Sequence, residues 1–419
     1  MRNWTGWARE ALNQTNEKGI IPFSFRIHFG IRSRRTTRSR GAALTHIALS
    51  FLGFEATAAF AAPDDDTATS SSMALYGEID TGFGYLHQPA GKASLRLTQG
   101  VIDGPYIGLR GSEPLGGGWR AVFALEHGFS SIDGTAINDH HKYVGLVSER
   151  YGAVTVGYQY DSLLDYFAPF TLTGNSGGTA FSRPFDNDNA NNSYLASNAI
   201  KYTSPEIDGF TFGGKIAFSN TAAGMARNRA VSVGARYTIG AFQIGAAYLR
   251  VDGLGRSASG AYAAQPLPLT PTREGGRIVP NYGDATAGRQ RTFGIGARYD
   301  IGDITTALAY SRAVYTGVAD ADDGTPAPSI GFTNVEWSGG YQANSALQLT
   351  AMLAYTRAGK AYWWQGGTQA IYTLSPRTNV YIEWVGQRAS AGQRAILNGF
   401  DMSSGRHQWL LATGVRHDF

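Results

Sequence analysis

The chain has no cysteine among its 419 residues. Disulfides and thiolate metal centres are therefore excluded, and a chain this long needs no staples to bury a core. Charge is scarce: Asp, Glu, Lys and Arg make up 16%, against roughly 25% in soluble domains. The apolar run GAALTHIALSFLGF (41–54) is short of the roughly 20 residues a transmembrane helix needs. No linker divides the chain into domains. What is abundant is Gly, at 54 residues, and aromatics, at 12%. With Thr and Val they favour strands and turns over helices. The net charge of +4 comes largely from a basic N-terminus, with Arg26, Arg32, Arg34, Arg35, Arg38 and Arg40 unaccompanied by acids, and does not point to nucleic acid.

That N-terminus reads as a targeting segment over residues 1–61. RSRRTTRSR (32–40) is a basic region, the apolar run follows, and small residues at Ala59 and Ala61 form an A-x-A cleavage site. The alternative is an Arg-rich organelle transit peptide. Residues 1–31 show no role of their own in this segment, and a start codon placed too early would account for them. Residues 62–72, with PDDDTATSSS, read as a disordered mature N-terminus.

From Met73 to Phe419 the text alternates. In VSVGARYTIG (231–240), Val231, Val233, Ala235 and Tyr237 share one face and Ser232, Gly234, Arg236 and Thr238 the other. RTFGIGARYDIG (291–302) repeats this, and period two is the strand signature. About sixteen such segments lie near 73–86, 104–113, 118–130, 139–148, 152–160, 197–204, 209–220, 229–239, 241–252, 290–300, 302–314, 331–342, 345–357, 361–374, 377–388 and 407–419. Short connections alternate with long ones at 160–197, 253–289 and 315–330. This is the layout of an outer-membrane barrel. Tyr85, Phe129, Tyr143, Tyr237, Tyr248, Tyr299, Tyr310, Tyr355 and Tyr372 fit interfacial girdles, and the Gly, Thr, Arg and Lys face suits a wet lumen. The fold expected is all-β: a transmembrane antiparallel barrel of about 16 strands, wide enough for an aqueous channel. A soluble all-β protein is the alternative.

Several stretches resemble the trimeric general porins of Gram-negative bacteria, the β-proteobacterial type in particular. They are SMALYGEIDTGFGY (72–85), YIGLRGSEPLGGGWRAVFALEHGF (106–129), HKYVGLVSERYGAVTVGYQYD (141–161), SNAIKYTSPEIDGFTFGGKIAFSN (197–220) and the terminal GVRHDF. The resemblance covers about 72–419. It implies a homotrimer in the outer membrane, in contact with lipid and lipopolysaccharide, with loop 160–197 folded inward as a constriction. It also implies that Trp409, Leu411, Val415 and Phe419 form a signal for the outer-membrane assembly machinery. A lipid-facing strand ending in an aromatic is the plainer reading of the same residues.

Such porins set acidic loop residues against a basic wall, and clustered charge tunes selectivity. The loop supplies Asp161, Asp165, Asp186 and Asp188, with Asp161 and Asp165 preferred, and adds Tyr166, Phe167 and Phe170. Alternation puts Arg110, Arg120, Lys142, Lys201, Arg236 and Arg298 on the lumen face, with His140 beside them. Tyr106, Tyr158 and Leu195 stand where the family places arginines, which puts its anion preference in doubt. The expected function is passive diffusion of small polar solutes and ions, with no cofactor and no catalysis. The alternatives are a porin preferring sugars or aromatic solutes, using the constriction aromatics, and a poorly conducting structural or adhesive barrel. Two motifs argue otherwise and are set aside. GNSGG (174–178) resembles a serine-protease nucleophile loop, but Ser176 lacks a His base in a convincing context. A lipolytic barrel is the other enzyme option. DNDN (186–189) has calcium-like spacing without the Gly and Glu of a calcium loop, so Asx-turns are preferred.

Overall fold

In the computed structural model the described residues run from 71 to 419, apart from 88–92, 138–139, 193–194, 220–228, 255–264, 267–268, 275–276, 282–283, 321–323 and 325. The targeting segment expected over 1–61 lies outside them, as does nearly all of the N-terminal stretch 62–72. Ser72, placed in that stretch by the sequence, already belongs to the first strand.

The chain closes into one antiparallel barrel of 16 strands. They are β1 (Ser72–His87), β2 in two parts (β2a, Ser94–Gln99; β2b, Tyr106–Gly116), β3 (Trp119–Phe129), β4 (Lys142–Ser148), β5 (Gly152–Gln159), β6 (Ala196–Thr203), β7 (Phe210–Ala217) and β8 (Ala230–Ile239). The second half is β9 (Phe242–Leu254), β10 (Asp284–Ile301), β11 (Ile304–Asp320), β12 (Ile330–Gln342), β13 (Leu347–Ala358), β14 (Ala361–Ser375), β15 (Thr378–Ala389) and β16 (His407–Asp418). Each pairs with its neighbours in sequence, and β16 returns to β1 in the register Glu78↔Asp418 to His87↔Trp409. Closure of β16 onto β1 joins the two ends of the barrel sheet, which a bilayer demands because lipid offers the backbone no hydrogen bonds.

The faces are inverted relative to a soluble protein. Leu75, Val144, Leu308, Val335 and Ile382 point outward and are exposed, whereas Gln290, Asn334 and Glu383 point inward and are buried. Tyr237, Tyr299, Tyr341 and Tyr372 mark the outer face near the short turns; Tyr85, Tyr248, Tyr310 and Trp364 mark it near the long loops. These are the two girdles, and the long-loop end is the extracellular one. Tyr143 leaves the expected girdle. It shares its strand face with buried Val147, opposite exposed Val144 and Leu146, and so faces the lumen.

Three departures from the sequence reading have simple causes. First, β2a was unexpected. It pairs with the upper half of β1 (Thr81↔Gln99 to Leu86↔Ser94), and β2b pairs with the lower half. Residues 100–105 leave the wall between them, held by Asp80, whose Oδ2 accepts from the Ile102 and Asp103 amides at 2.8 and 3.2 Å. Second, β10 and β11 stay paired out to Ala285↔Asp320, so both neighbouring loops are shorter than expected. Much of the 253–289 loop is outside the described residues; Leu269–Glu274 and Arg277–Asn281 within it pair as a hairpin. Third, the alternation of short and long connections has an exception at the extracellular end, one for which the segments 345–357 and 361–374 already left only three residues: Ala358 pairs with Ala361, with Gly359 at φ 58.

Candidate pore constriction

The loop from Asp161 to Leu195 folds into the barrel. Asp161 starts it by capping a short helix, α1 (Ser162–Tyr166). Its Oδ1 accepts the Leu163 amide at 2.7 Å and its Oδ2 the Asn189 side chain at 2.8 Å, as an N-cap should. Burial raises its carboxyl above the ordinary range, against the pull of the Lys215 ammonium.

The next turn lies on a pavement of glycines. Tyr166 covers Gly213 and Gly234, Phe167 covers Gly294, and Phe170 covers Gly245 and Gly296. These glycines sit on the inward faces of β7 to β10, where the alternation reserved small positions. A Cβ on Gly234 would lie 2.5 Å from the Tyr166 ring. Only hydrogen at these positions lets the loop backbone approach the wall so closely.

Farther on, polar groups fasten the loop to β11 to β14. The Leu172 amide donates to Glu336 at 2.6 Å, the Tyr315 hydroxyl to the Asn187 carbonyl at 2.7 Å, and the Gln365 side chain to the Ala180 carbonyl at 2.9 Å. Arg183, fully buried, sits between Asp188 of the loop (3.4 Å) and Glu336 of the wall (3.3 Å). Asp188 also accepts from Ser311 at 2.5 Å. The tip crosses to β2: Gly178, at φ 72, lies against Val101 and Ile102, and the Thr179 amide donates to the Val101 carbonyl at 3.2 Å. Phe185, Asp186, Asn189 and Asn192 take positive φ as the chain turns back. The Asn and Asp members of that set tolerate this conformation, in keeping with the Asx-turn reading. In the GNSGG motif Gly174 packs on Ala168 and Gly178 on residues 101–102, so its glycines answer to packing.

The structure sorts the expected site residues. Among the described loop residues Leu164, Asp165, Pro169, Gly174, Asn175 and Thr179 keep partial exposure, and the others are buried. Asp165 is thus the carboxylate of the four that reaches water. It pairs with Lys201 of β6 at 2.6 Å. Asp161, Asp186 and Asp188, expected to project charge into the pore, are buried as cap and network acceptors. Tyr166 and Phe167 are buried as seats of the loop, not as surfaces for solutes.

On the wall, Tyr106, Arg110, Arg120, Lys201, Arg236 and Arg298 share the inward register. Arg110 lies over the Tyr76 ring at 4.2 Å. Tyr106 meets Tyr76 edge-on at 6.0 Å and His140 at 4.5 Å. His140 and His141 flank Glu126, at 3.6 and 3.3 Å. Arg236 and Arg298 are buried toward the short-turn end, the latter 2.9 Å from Asp300. Lys142 and Tyr158 are the exceptions. They pair with each other, and Lys142 with Leu125; partners across a ladder share a face, and Leu125 is exposed outward. The expected alternation slipped by one residue there. Leu195 is buried at the start of β6. The sequence reading missed Tyr76, Tyr143, Arg183, residues 100–105 and Lys215, whose ammonium donates to the Gln159 carbonyl at 2.9 Å. Inward parity on β7 was the signal for Lys215.

A closed, outward-apolar barrel with a loop folded across its interior is the plan of known pores. The family model for Gram-negative porins matches residues 43–390. The chain belongs to the Gram-negative porin family. An outer membrane porin protein of Bordetella pertussis is 29% identical over 272 residues, covering 58% of this chain and 64% of that protein. Outer membrane porin protein 32 of Delftia acidovorans is 32% identical over 155 residues, covering 35% and 44%. The matched stretches thus span under two thirds of these relatives. An anion-selective porin from Comamonas acidovorans shares the fold, with a TM-score of 0.66 at 19% identity, over 84% of this chain and all of that one. This porin is accordingly an outer-membrane barrel, and its crossing is made by strands.

Proposed function

We infer that this porin is a passive channel for small hydrophilic solutes and ions, gated by size at the loop 161–195 and not catalytic. The observation that carries the reading is the loop itself, seated on glycines along one wall so that it narrows the lumen without depending on side-chain bulk. The opening lies between the exposed loop residues and the wall of Tyr76, Tyr106, Arg110, Tyr143 and Lys201. Two of these wall groups are cations; the carboxylates beside them are Asp165 of the loop, which reaches water, and Glu126, which is buried and accepts from Tyr76 at 2.5 Å. With Glu126 buried, the groups exposed to the pore leave a weak anion preference, in the direction of the Comamonas porin's description. A homotrimer, a removable segment over 1–61 and a C-terminal assembly signal complete the reading. In support of the last, Trp409, Leu411 and Val415 share the outward face of β16, Phe419 follows just past its end in the same parity, and Leu411, Val415 and Phe419 are exposed.

A preference for aromatic or sugar-like solutes is the second reading, favoured by the Tyr76, Tyr106 and Tyr143 wall. Liposome swelling with solutes of graded size tests both. A smooth fall of rate with size is expected for the general channel. An aromatic solute outrunning others of its size would favour the second reading, and no swelling with any solute would overturn both.

A further inference from the structure

Tyr143 is the one aromatic ring in its row of the pore wall. Ladder partners share a face, and the row runs Arg110 of β2b, Ala124 of β3, Tyr143 of β4, Gly157 of β5 and Ala199 of β6. Strands lie about 4.8 Å apart, so Arg110 and Ala199 are rooted about 10 Å from Tyr143, with one small residue between on each side. Neither Ala124 nor Gly157 is large enough to cover the ring, and it keeps partial exposure. His141 meets it at 5.6 Å and 78°, which steadies the ring without stacking on it.

The polar groups to either side come in opposite pairs. On one side the Arg110 guanidinium lies over the Tyr76 ring at 4.2 Å, and the Tyr76 hydroxyl donates to Glu126 at 2.5 Å. Tyr76 rests on Gly108, where a Cβ would lie 2.7 Å from its ring. Arg110 is thereby held against the wall. On the other side, two residues along β6 from Ala199, Lys201 meets Asp165 of the loop at 2.6 Å, with side chains 15% and 28% exposed. Guanidinium and ammonium groups donate only, and an ionised carboxylate accepts only. The stretch therefore offers donors and an acceptor around one aromatic ring, with little net charge.

A solute that fits has the same two parts. A pyranose has them: C–H bonds on a ring face that pack on an aromatic ring, and edge hydroxyls that both donate and accept. A purely aromatic solute would leave the edge groups without partners, which is costly once water is displaced. An anion would meet the Asp165 carboxylate.

We propose that the wall from Arg110 to Lys201, with Tyr143 at its centre, is a binding subsite for pyranose sugars. Tyr143 supplies the stacking face, and Arg110, Lys201 and Asp165 supply the hydrogen bonds. The subsite rests on the preference for aromatic or sugar-like solutes given above as the second reading, and narrows it to neutral sugars.

The test titrates maltose against the ion current of single channels, with the acyclic polyol glucitol as the comparison. Maltose should lower the current saturably, and glucitol only in proportion to its concentration. A stacked ring is worth about fivefold in affinity. Tyr143→Leu should therefore raise the half-blocking maltose concentration by that factor, while Tyr143→Phe and the outward-facing Tyr310→Leu should keep the parent value. A parent value in Tyr143→Leu would overturn the subsite and leave the broader preference standing. Saturable block by benzoate but not by maltose would also overturn it, in favour of aromatic solutes. Saturable block by neither would overturn both. If Tyr143→Leu fails to fold, the part-exposed Asp165 decides. Asp165→Ala should raise the half-blocking concentration about tenfold, the worth of a hydrogen bond to a charged group, and no change would overturn the proposal.

Discussion

Adding one methyl group behind the constriction loop should narrow the pore. In Gly234→Ala the new Cβ would lie 2.5 Å from the Tyr166 ring, where carbon contacts settle at about 3.5–4.0 Å. The ring must therefore retreat by roughly 1 Å, away from the wall and toward the lumen. Overpacking of this kind costs about 1–3 kcal/mol. Burial of Tyr166, Phe167 and Phe170 contributes about 1.5–3 kcal/mol for each ring, together more than the strain. The loop should stay seated but displaced. Single-channel recording should show a uniformly lower conductance without added flicker. Paired with Gly294→Ala, which crowds the Phe167 ring, the strain approaches the seating energy and the open state should become noisy. Parent conductance from a folded double variant would refute the claim that this pavement sets the aperture.

Charge at the aperture gives a second expectation. Asp165→Asn should shift the reversal potential in a salt gradient toward anions, whereas Asp161→Asn should not, because its carboxyl is a buried cap; equal shifts would contradict the burial argument. Arg183→Met leaves Asp188 and Glu336 facing each other without a buried cation, a loss of about 3–5 kcal/mol. It should release the loop, read as larger and fluctuating conductance at an unchanged strand content by circular dichroism; a quiet parent-like channel would remove Arg183 from the latch. Phe419→Ala should lower the yield of barrel assembled in cells while leaving folding from urea into detergent intact; equal loss in both would make Phe419 a packing residue only, consistent with its ring lying against Gly77.

Most of the wall was legible because a barrel in lipid enforces one rule at every strand. Outward residues must be apolar and inward ones are free to be polar, so VSVGARYTIG and RTFGIGARYDIG announce both strand and face. The rule fails where no alternation exists. The sequence leaves 87–103 as a connection, and only the pairing of β2a with β1 shows that a strand runs within it. Lys142 and Tyr158 stand at strand ends, where a one-residue slip flips the face. The loop was legible as an oversized insertion, but its charges were not. An Asp that caps a helix and an Asp that faces a pore look alike until the backbone is folded. Nor does spacing along the chain reveal that Arg183 meets Glu336, far downstream on β12.

The central claim is that this barrel encloses an open, water-filled path narrowed by its own loop. Purified protein in a planar bilayer tests it most directly. The account predicts discrete ohmic steps, arriving in threes if the trimer forms, with conductance proportional to salt concentration. Barrel that is demonstrably folded and inserted, yet passes no current, would contradict it.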